Sequence, residues 1–537
     1  MCSADRKVPY VIFSIVSLLI VLTALGYYPF QIDDSYIAYR YAANVLHGYG
    51  FTFNPGGVPV EGFTSPLWMA LLIGLGAIFS VASLPVVTPW IGVGVAMLVV
   101  AVMGRILLSD RAEDRSPLQN TQYLIGTLLL GFLPAVSYYA VSGMDEILFC
   151  LVVLIAAGIG ARRLSVGFLS VLVLASWVRP EALWIPVMMA VQLMVLGGSG
   201  KILLTRRFIQ PVAMLAFGFV ALVCVRWFMF SDVLPNTYYA KRPEYLLGLH
   251  YVWNTLGTGW AGLTVAMGLL GAILGRREHL SFFVAGLSWF PAVVLEGGDW
   301  MPFSRMLLPA LVLFCLAASG IAEVGARFET RRFHAGLLLL LIPVCGYQYL
   351  ESRHQQWEET LGQFSFVHEI RLLSSWLNTN NIHSVALVDI GEVGFRTNTD
   401  ILDLAGLTDK NIARAKGGLL SKDFDVTYLT DVKKPEVVII RFSKPLEFTG
   451  RLSVVANSTV EQHVLSSDAF ARDYVPYLAI VPGYHRDPYY GRLLFLRRGV
   501  RIDDHFLQYY HTFGNTSLNL FEVPLSKSFR AFLNKGY

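Results

Sequence analysis

Residues 11–40 read VIFSIVSLLIVLTALGYYPFQIDDSYIAYR. Val11 to Phe30 carries no charge, and as a helix the run is long enough to cross about 30 Å of hydrocarbon. Arg6 and Lys7 precede it, and Asp33 and Asp34 follow almost at once. A secretory leader would have a shorter apolar run and a small-residue cleavage site after it. The stretch therefore reads as an uncleaved first helix with its N-terminus in the cytoplasm. That places an acid pair where the chain leaves the bilayer. Charges there are costly unless they pair or work.

The whole chain follows the same solvent logic. Its 537 residues are 55% hydrophobic and 15% charged, against about 25% charged in a soluble domain. This is the composition of a polytopic α-helical membrane protein with a soluble part. A net charge of +4, with no basic tract, is too small to suggest nucleic acid as a partner. Cys2, Cys150, Cys224, Cys315 and Cys345 form no CxxC or Cys/His pattern, and the last four sit in apolar segments, so they read as small buried hydrophobes.

Further apolar stretches fall near 66–82, 86–108, 121–141, 147–161, 165–178, 182–198, 208–230, 255–275, 280–296, 305–323 and 334–350. Basic residues in short loops mark the cytoplasmic side. The clusters are Arg105, Arg111 and Arg115; Arg162 and Arg163; Lys201, Arg206 and Arg207; Arg276 and Arg277; Arg327, Arg331 and Arg332. They occupy every second loop only if 66–82 does not cross. The expectation is eleven spanning helices plus one half-inserted outer helix, within a membrane domain of residues 1–351. Residues 352–537 are mixed and polar. Strand-like runs at 384–390, 435–442, 477–483 and 492–498 alternate with helical stretches such as 366–378, which predicts an α/β domain on the extracytoplasmic side.

The cytoplasmic loops are short and basic, and the unusual residues fall in the outer ones. These are the Asp33–Asp34 loop with PVEGFTSPLW (59–68), SGMDEILF (142–149), SWVRPEALW (176–184), LPNTYYAKR (234–242) and EGGDWMPFSRMLLP (296–309). Singly, each has a plain explanation: Asp145 at a helix start, Arg179 with Glu181 as an interfacial pair, Lys241 and Arg242 reaching for headgroups. Together they place acids (Asp33, Asp34, Asp145, Glu181, Asp299) and bases (Arg179, Lys241, Arg242, Arg305) on one face. Tyr36, Tyr39, Tyr238, Tyr239 and Trp300 add rings that could stack on a sugar or form an aromatic belt.

Glycosyl transfer from a lipid-phosphate donor fits these residue types. A carboxylate removes the proton of an acceptor hydroxyl as the new bond forms. Arg and Lys stabilise a phosphate leaving group that carries its own charge. The donor's tail stays in the bilayer, so the chemistry must sit at the membrane face.

At these residues the chain resembles a family. DDSYIAYRYAANVLHGYGFTFNPG followed by VEGFTSPLW is similar to the first outer loop of bacterial GT-C superfamily membrane glycosyltransferases. The nearest branch is the terminal arabinofuranosyltransferases of mycobacterial and corynebacterial cell walls. The other four outer-loop blocks follow in order, as do VALVDIGEVGF (385–395) and ILDLAGLTDKNIA (401–413). The resemblance runs to about residue 415. It implies a catalytic acid at Asp33 with Asp34 beside it, and a second acid at Asp145, where Glu146 could share the role. It also implies donor-phosphate contacts from Arg179, Lys241 and Arg305, with Arg242 adjacent, and an inverting displacement of a polyprenyl phosphate. Tyr36, Tyr39, Glu181, Tyr238, Asp299 and Trp300 are then expected to meet sugar or acceptor. The expected acceptor is a cell-envelope glycan or surface protein, with the protein in the bacterial plasma membrane. A divalent cation (Mg, Mn or Ca) at Asp33 and Asp145 is chemically admissible, although no strong ligand motif is present. A transporter or flippase is the competing reading, weakened by charges at helix ends rather than mid-bilayer and by the lack of an inverted repeat. A receptor module is a third, and it leaves the outer-loop acids unexplained.

Overall fold

A computed structural model describes residues 3–108, 116–158, 165–197, 200–324, 331–442, 456–481, 491–502 and 519–521. Arg111, Arg115, Arg162, Arg163 and Arg327, used above for topology, lie outside the described residues, as do the last two residues of the 477–483 run.

Among the described residues six helices are long and apolar enough to cross a membrane: Lys7–Leu25, Val81–Leu107, Pro180–Gly197, Arg206–Phe230, Arg277–Glu296 and Pro302–Val324. Two further pairs qualify only jointly. Pro117–Gly131 meets Pro134–Val141 at 62°, and Tyr245–Gly257 meets Gly259–Leu274 at 82°. The first bend has a local cause. Leu133 precedes Pro134 and is extended, with φ −70° and ψ 114°, as the residue before proline must usually be. The expected spans at 147–161 and 165–178 appear as the shorter apolar helices Glu146–Gly158 and Val166–Val178.

The stretch expected to be half-inserted forms the apolar helix Pro66–Phe79, shorter than the candidate spans. Pro66 occupies the first turn, where its missing N–H costs nothing, and the Ser65 side chain accepts from the Trp68 amide. Its 14 residues rise about 21 Å at 1.5 Å each, short of the ~30 Å a span needs.

The Arg331–Thr379 helix is 49 residues long and carries the chain from the membrane part into the soluble part, so the compositional boundary at 351/352 falls inside one continuous element. Beyond it lies a six-stranded mixed sheet. The strands are β1 (Ser384–Leu387), β2 (Asp400–Asp403), β3 (Val437–Phe442), β4 (Tyr474–Val481), β5 (Gly491–Arg497) and β6 (Asn519–Phe521), in the order β2-β1-β3-β5-β4-β6. β1 pairs parallel with β2 and β3, and the remaining pairs are antiparallel. The four strand-like runs became β1, β3, β4 and β5. The short edge strands β2 and β6 had no run to announce them.

The two halves share one core. Ile370, Leu373, Trp376 and Leu377 of the long helix pack with Val385, Val437 and Leu494 of the sheet. The same cluster takes in Tyr36, Tyr39, Tyr41, Trp68 and Met69 from the first outer loop. Polar staples reinforce it. Buried Arg40 donates to the carbonyls of Phe53 (2.7 Å) and Thr399 (2.9 Å), and Asn236 donates to Gly406 (2.8 Å) and Leu407 (2.9 Å). The soluble domain is therefore seated on the loops that carry the candidate site.

Candidate active site

Asp33 and Asp34 open the helix Asp33–Leu46. Acids in a first turn suit the positive end of the helix dipole, and both side chains remain half-buried. Their surroundings differ. The Asp33 carboxylate accepts the amides of Gly391 (Oδ2, 2.8 Å) and Glu392 (Oδ1, 2.8 Å), at the start of the Gly391–Arg396 helix of the soluble domain. Burial raises the Asp33 carboxyl to about 7, helped by the charge of Asp389 and opposed by the two amides. Asp34 accepts no hydrogen bond among the described residues. Burial also raises its carboxyl, while the nearby charges of Lys241 and Arg305 oppose the rise.

Beside this pair lies a buried ion network. Arg179 Nε and Nη2 donate to Glu181 (3.1 and 2.6 Å), and Nη1 donates to Glu146 Oε1 (2.9 Å) and reaches Asp145 Oδ1 at 3.4 Å. Arg305 Nη1 donates to the same Glu146 oxygen (3.0 Å) and its Nη2 pairs with Asp299. Four carboxylates thus face two guanidiniums. Asp145 Oδ2, Glu146 Oε2 and Arg305 Nε are buried and have no hydrogen-bond partner among the described residues. Buried polar atoms are seldom left so, and they suit a substrate's hydroxyls and anionic oxygens.

The helix Asn236–Ala240 brings the cations. Lys241 and Arg242 follow it, both exposed, and neither side chain makes a hydrogen bond or ion pair among the described residues. The loop is fixed from the other side. Buried Lys422 donates to the Tyr239 carbonyl (3.2 Å) and to those of Ala413 (2.8 Å) and Gly417 (3.1 Å). Tyr238 and Trp300 are exposed rings.

Two expectations change. Tyr36 and Tyr39 do not offer ring faces to a ligand. They are buried, packed edge-on against each other, with Tyr39 edge-on and Tyr36 tilted against Phe395, because the helix turns that face into the shared core. Arg179 is not an open phosphate clamp either, since its guanidinium is already taken up by Glu181, Glu146 and Asp145. Among the described residues no group of three or more His, Cys, Asp and Glu is placed to hold an ion.

Sequence reading missed a second ion cluster, behind Asp33. Asp389 pairs with Arg441 (3.1 Å) and Arg492 (2.8 Å), Arg441 with Glu461 (3.1 Å), and Arg492 with Glu369 (2.9 Å). It also missed Glu61, whose carboxylate accepts from buried Arg226 at 2.8 Å. The signal available was Asp389-Ile-Gly391, an acid and a glycine directly after a strand.

With this geometry in hand, the comparisons separate fold from function. A family model described only as a domain of unknown function, DUF8728, matches residues 352–487. No curated protein matches the sequence. Solved structures do match in shape. ArnT from Cupriavidus metallidurans, bound to undecaprenyl phosphate, superposes with a TM-score of 0.55 at 13% identity, covering 90% of this chain and 97% of that one. The Archaeoglobus fulgidus oligosaccharyltransferase tethered to an acceptor peptide gives 0.50 at 12%, covering 98% and 77%. AglB from the same organism, with an inhibitory peptide and a dolichol-phosphate, gives 0.50 at 12%, covering 99% and 78%. The chain has the GT-C fold. At such identities the likeness is one of architecture, and the arabinofuranosyltransferase branch has no counterpart among these three.

Proposed function

We propose that the protein is a glycosyltransferase that moves a sugar, arabinofuranose in the finest reading, from a polyprenyl-phosphate donor to a hydroxyl of an envelope glycan or surface protein. The observation that carries this is the half-open acid pair on a GT-C fold, beside two exposed cations, Lys241 and Arg242, that have no partner among the described residues. The relatives in shape support the donor class: one is bound to undecaprenyl phosphate and another to a dolichol-phosphate.

In this reading Asp33 is the general base. A base whose proton affinity lies near neutral pH balances availability against driving force, and burial has moved Asp33 there. Two amide bonds leave lone pairs free on both oxygens. The acceptor oxygen attacks the anomeric carbon, its proton passes to Asp33, and the bond to the phosphate oxygen breaks. The phosphate leaves with the electron pair, inverting the centre. Lys241, Arg242 and the free Nε of Arg305 stabilise the departing charge. Asp145, Glu146, Glu181 and Asp299 hold the two arginines and offer acceptors to sugar hydroxyls, with Tyr238 and Trp300 as ring faces at the rim. The site and the soluble domain stand on the extracytoplasmic side of the plasma membrane.

The experiment is transfer in nanodiscs from synthetic polyprenyl-phosphate sugars, arabinofuranose first, to a panel of envelope glycans and peptides. Transfer lost in Asp33→Asn supports the reading. Facilitated movement of intact donor across the bilayer without transfer would replace it with the flippase.

A further inference from the structure

The soluble domain touches Asp33 in an unusual way. Interface staples such as Arg40, Asn236 and Lys422 are buried donors fully engaged with carbonyl oxygens. Asp33 is an anion left half-open, with the like charge of Asp389 nearby. A contact selected only for adhesion would not add that repulsion. The approach is also close. A Cβ on Gly391 would collide with the Asp33 backbone carbonyl, so only glycine lets these amides reach the carboxylate.

Asp389 is itself held rigidly. Burial pushes its carboxyl up, and Arg441 and Arg492 outweigh that to keep it below the ordinary range. Both arginines are anchored in turn, by Glu461 and by Glu369 on the long helix. The charges around Asp33 are thus Asp34 on its own helix, Asp389 and Glu392 from the soluble domain, Arg371 and Arg396 paired with Glu392, and Arg441, Arg492 and Glu369 behind Asp389. The charges of Lys241 and Arg305 act on Asp34. The helix Pro66–Phe79, also packed on Asp33–Leu46, carries no titratable side chain.

We propose that the C-terminal domain is a positioning element of the catalytic centre: the amides of Gly391 and Glu392 aim the Asp33 carboxylate, and the anchored Asp389 sets its charge environment. The proposal rests on the reading of Asp33 as base, and the joint itself can be tested without that reading. Asp389 and Gly391 touch no reacting atom in this scheme and act through Asp33.

The test uses the full-length protein in nanodiscs. Hydrogen exchange comes first: Asp33→Ala is expected to deprotect the amides of Gly391 and Glu392 while those of β1 and β3 keep their protection. Unchanged exchange at both amides overturns the joint. The second measurement is the pH profile of kcat/KM with a polyprenyl-phosphate arabinofuranose probe. Asp389→Asn removes a negative charge near the base, so the base loses its proton more readily. The acid limb is expected to move to lower pH by about one unit, with donor KM unchanged, and Asp389→Glu is expected to restore it. Gly391→Ala is expected to lower kcat without changing donor KM. A limb that stays in place in Asp389→Asn, or kcat and KM falling together in both variants, reduces the contact to architecture and overturns positioning. If Asp33→Asn keeps its turnover, the base assignment fails instead, and the exchange result still decides whether the joint exists.

Discussion

The acids around the site fall into two groups that differ in what they face. Asp145, Glu146, Glu181 and Asp299 face guanidiniums in a buried network. Asp33 faces two neutral amides, and Asp34 accepts no hydrogen bond among the described residues. Burial pushes the Glu181 carboxyl up and Arg179 outweighs it to hold the group below its ordinary range, while burial still raises Asp145 to about 6 against the pull of Arg179. Asp33 has no guanidinium on its carboxylate, and burial with a neighbouring anion raises it to about 7. The contrast teaches that clustered acids need not share a job: the arginine-bound group builds the wall and the amide-bound residue can do proton transfer.

The sharpest way to break this contrast is to remove the base. Asp33→Asn is expected to lose roughly a hundred- to ten-thousand-fold in kcat, with donor affinity and thermal stability near wild type. Turnover and donor titration in nanodiscs would measure it. Full turnover in this variant would move Asp33 into the wall and leave Asp34 and the network acids as candidates.

The opposite outcome is expected on the other side of the comparison. Arg179→Met leaves Glu181 and Asp145 buried without their cation, and breaking a buried pair costs about 3–5 kcal/mol. The variant should unfold at distinctly lower temperature in detergent. Donor affinity in whatever fraction stays folded should change little. A stable Arg179→Met with strongly weakened donor binding would return Arg179 to the phosphate-clamp role that the family resemblance gave it. Glu61 and Arg226 provide a control, because their buried pair joins the first loop to a spanning helix away from the proposed chemistry. Arg226→Met should cost a similar amount of stability and leave the pH profile of the surviving activity where it was.

A smaller effect is expected from the open cations. Lys241 is exposed and unpaired among the described residues, so Lys241→Ala should spare the fold. Losing one charged hydrogen bond to a phosphate is worth up to about 1.5–3 kcal/mol, less at an exposed position. Donor KM should rise about tenfold with kcat little changed, and the rise should shrink as salt is added.

How much of this was legible in the sequence follows from what kind of signal each feature leaves. The membrane class and a short apolar helix within 66–82 were readable, because hydropathy is a property of consecutive residues. So were four strands of the sheet. The site's members were named because charges beside apolar helices stand out singly. Their partners were not readable. Whether Arg179 meets a phosphate or Glu181 and Glu146 depends on the packing of three separate segments. Tyr36 and Tyr39 look like surface rings in a loop sequence, and only the docking of the Gly391–Arg396 helix buries them. The Asp33 joint spans 358 residues of chain, and no local pattern encodes so distant a contact.

Asp34 gives the finest test of the comparison, since it shares a helix turn with Asp33 and differs only in its surroundings. Neighbouring positions on a helix project in different directions. Asp33 turns to the soluble domain, while Asp34 feels Lys241, Arg305 and Asp299. Neutralising Asp34 removes an anion from beside Lys241 and Arg305, two of the three cations proposed to stabilise the donor phosphate. Donor binding in Asp34→Asn should therefore hold or tighten slightly. The acceptor loses one carboxylate partner, so acceptor KM should rise. The net loss in kcat/KM should stay under about tenfold, ~1.4 kcal/mol. Initial rates over a grid of donor and acceptor concentrations would separate the two terms. If Asp34→Asn is the dead variant and Asp33→Asn is nearly wild type, the roles are exchanged: the unbonded carboxylate is the base, and the amide-bound one only fastens the soluble domain to the first loop.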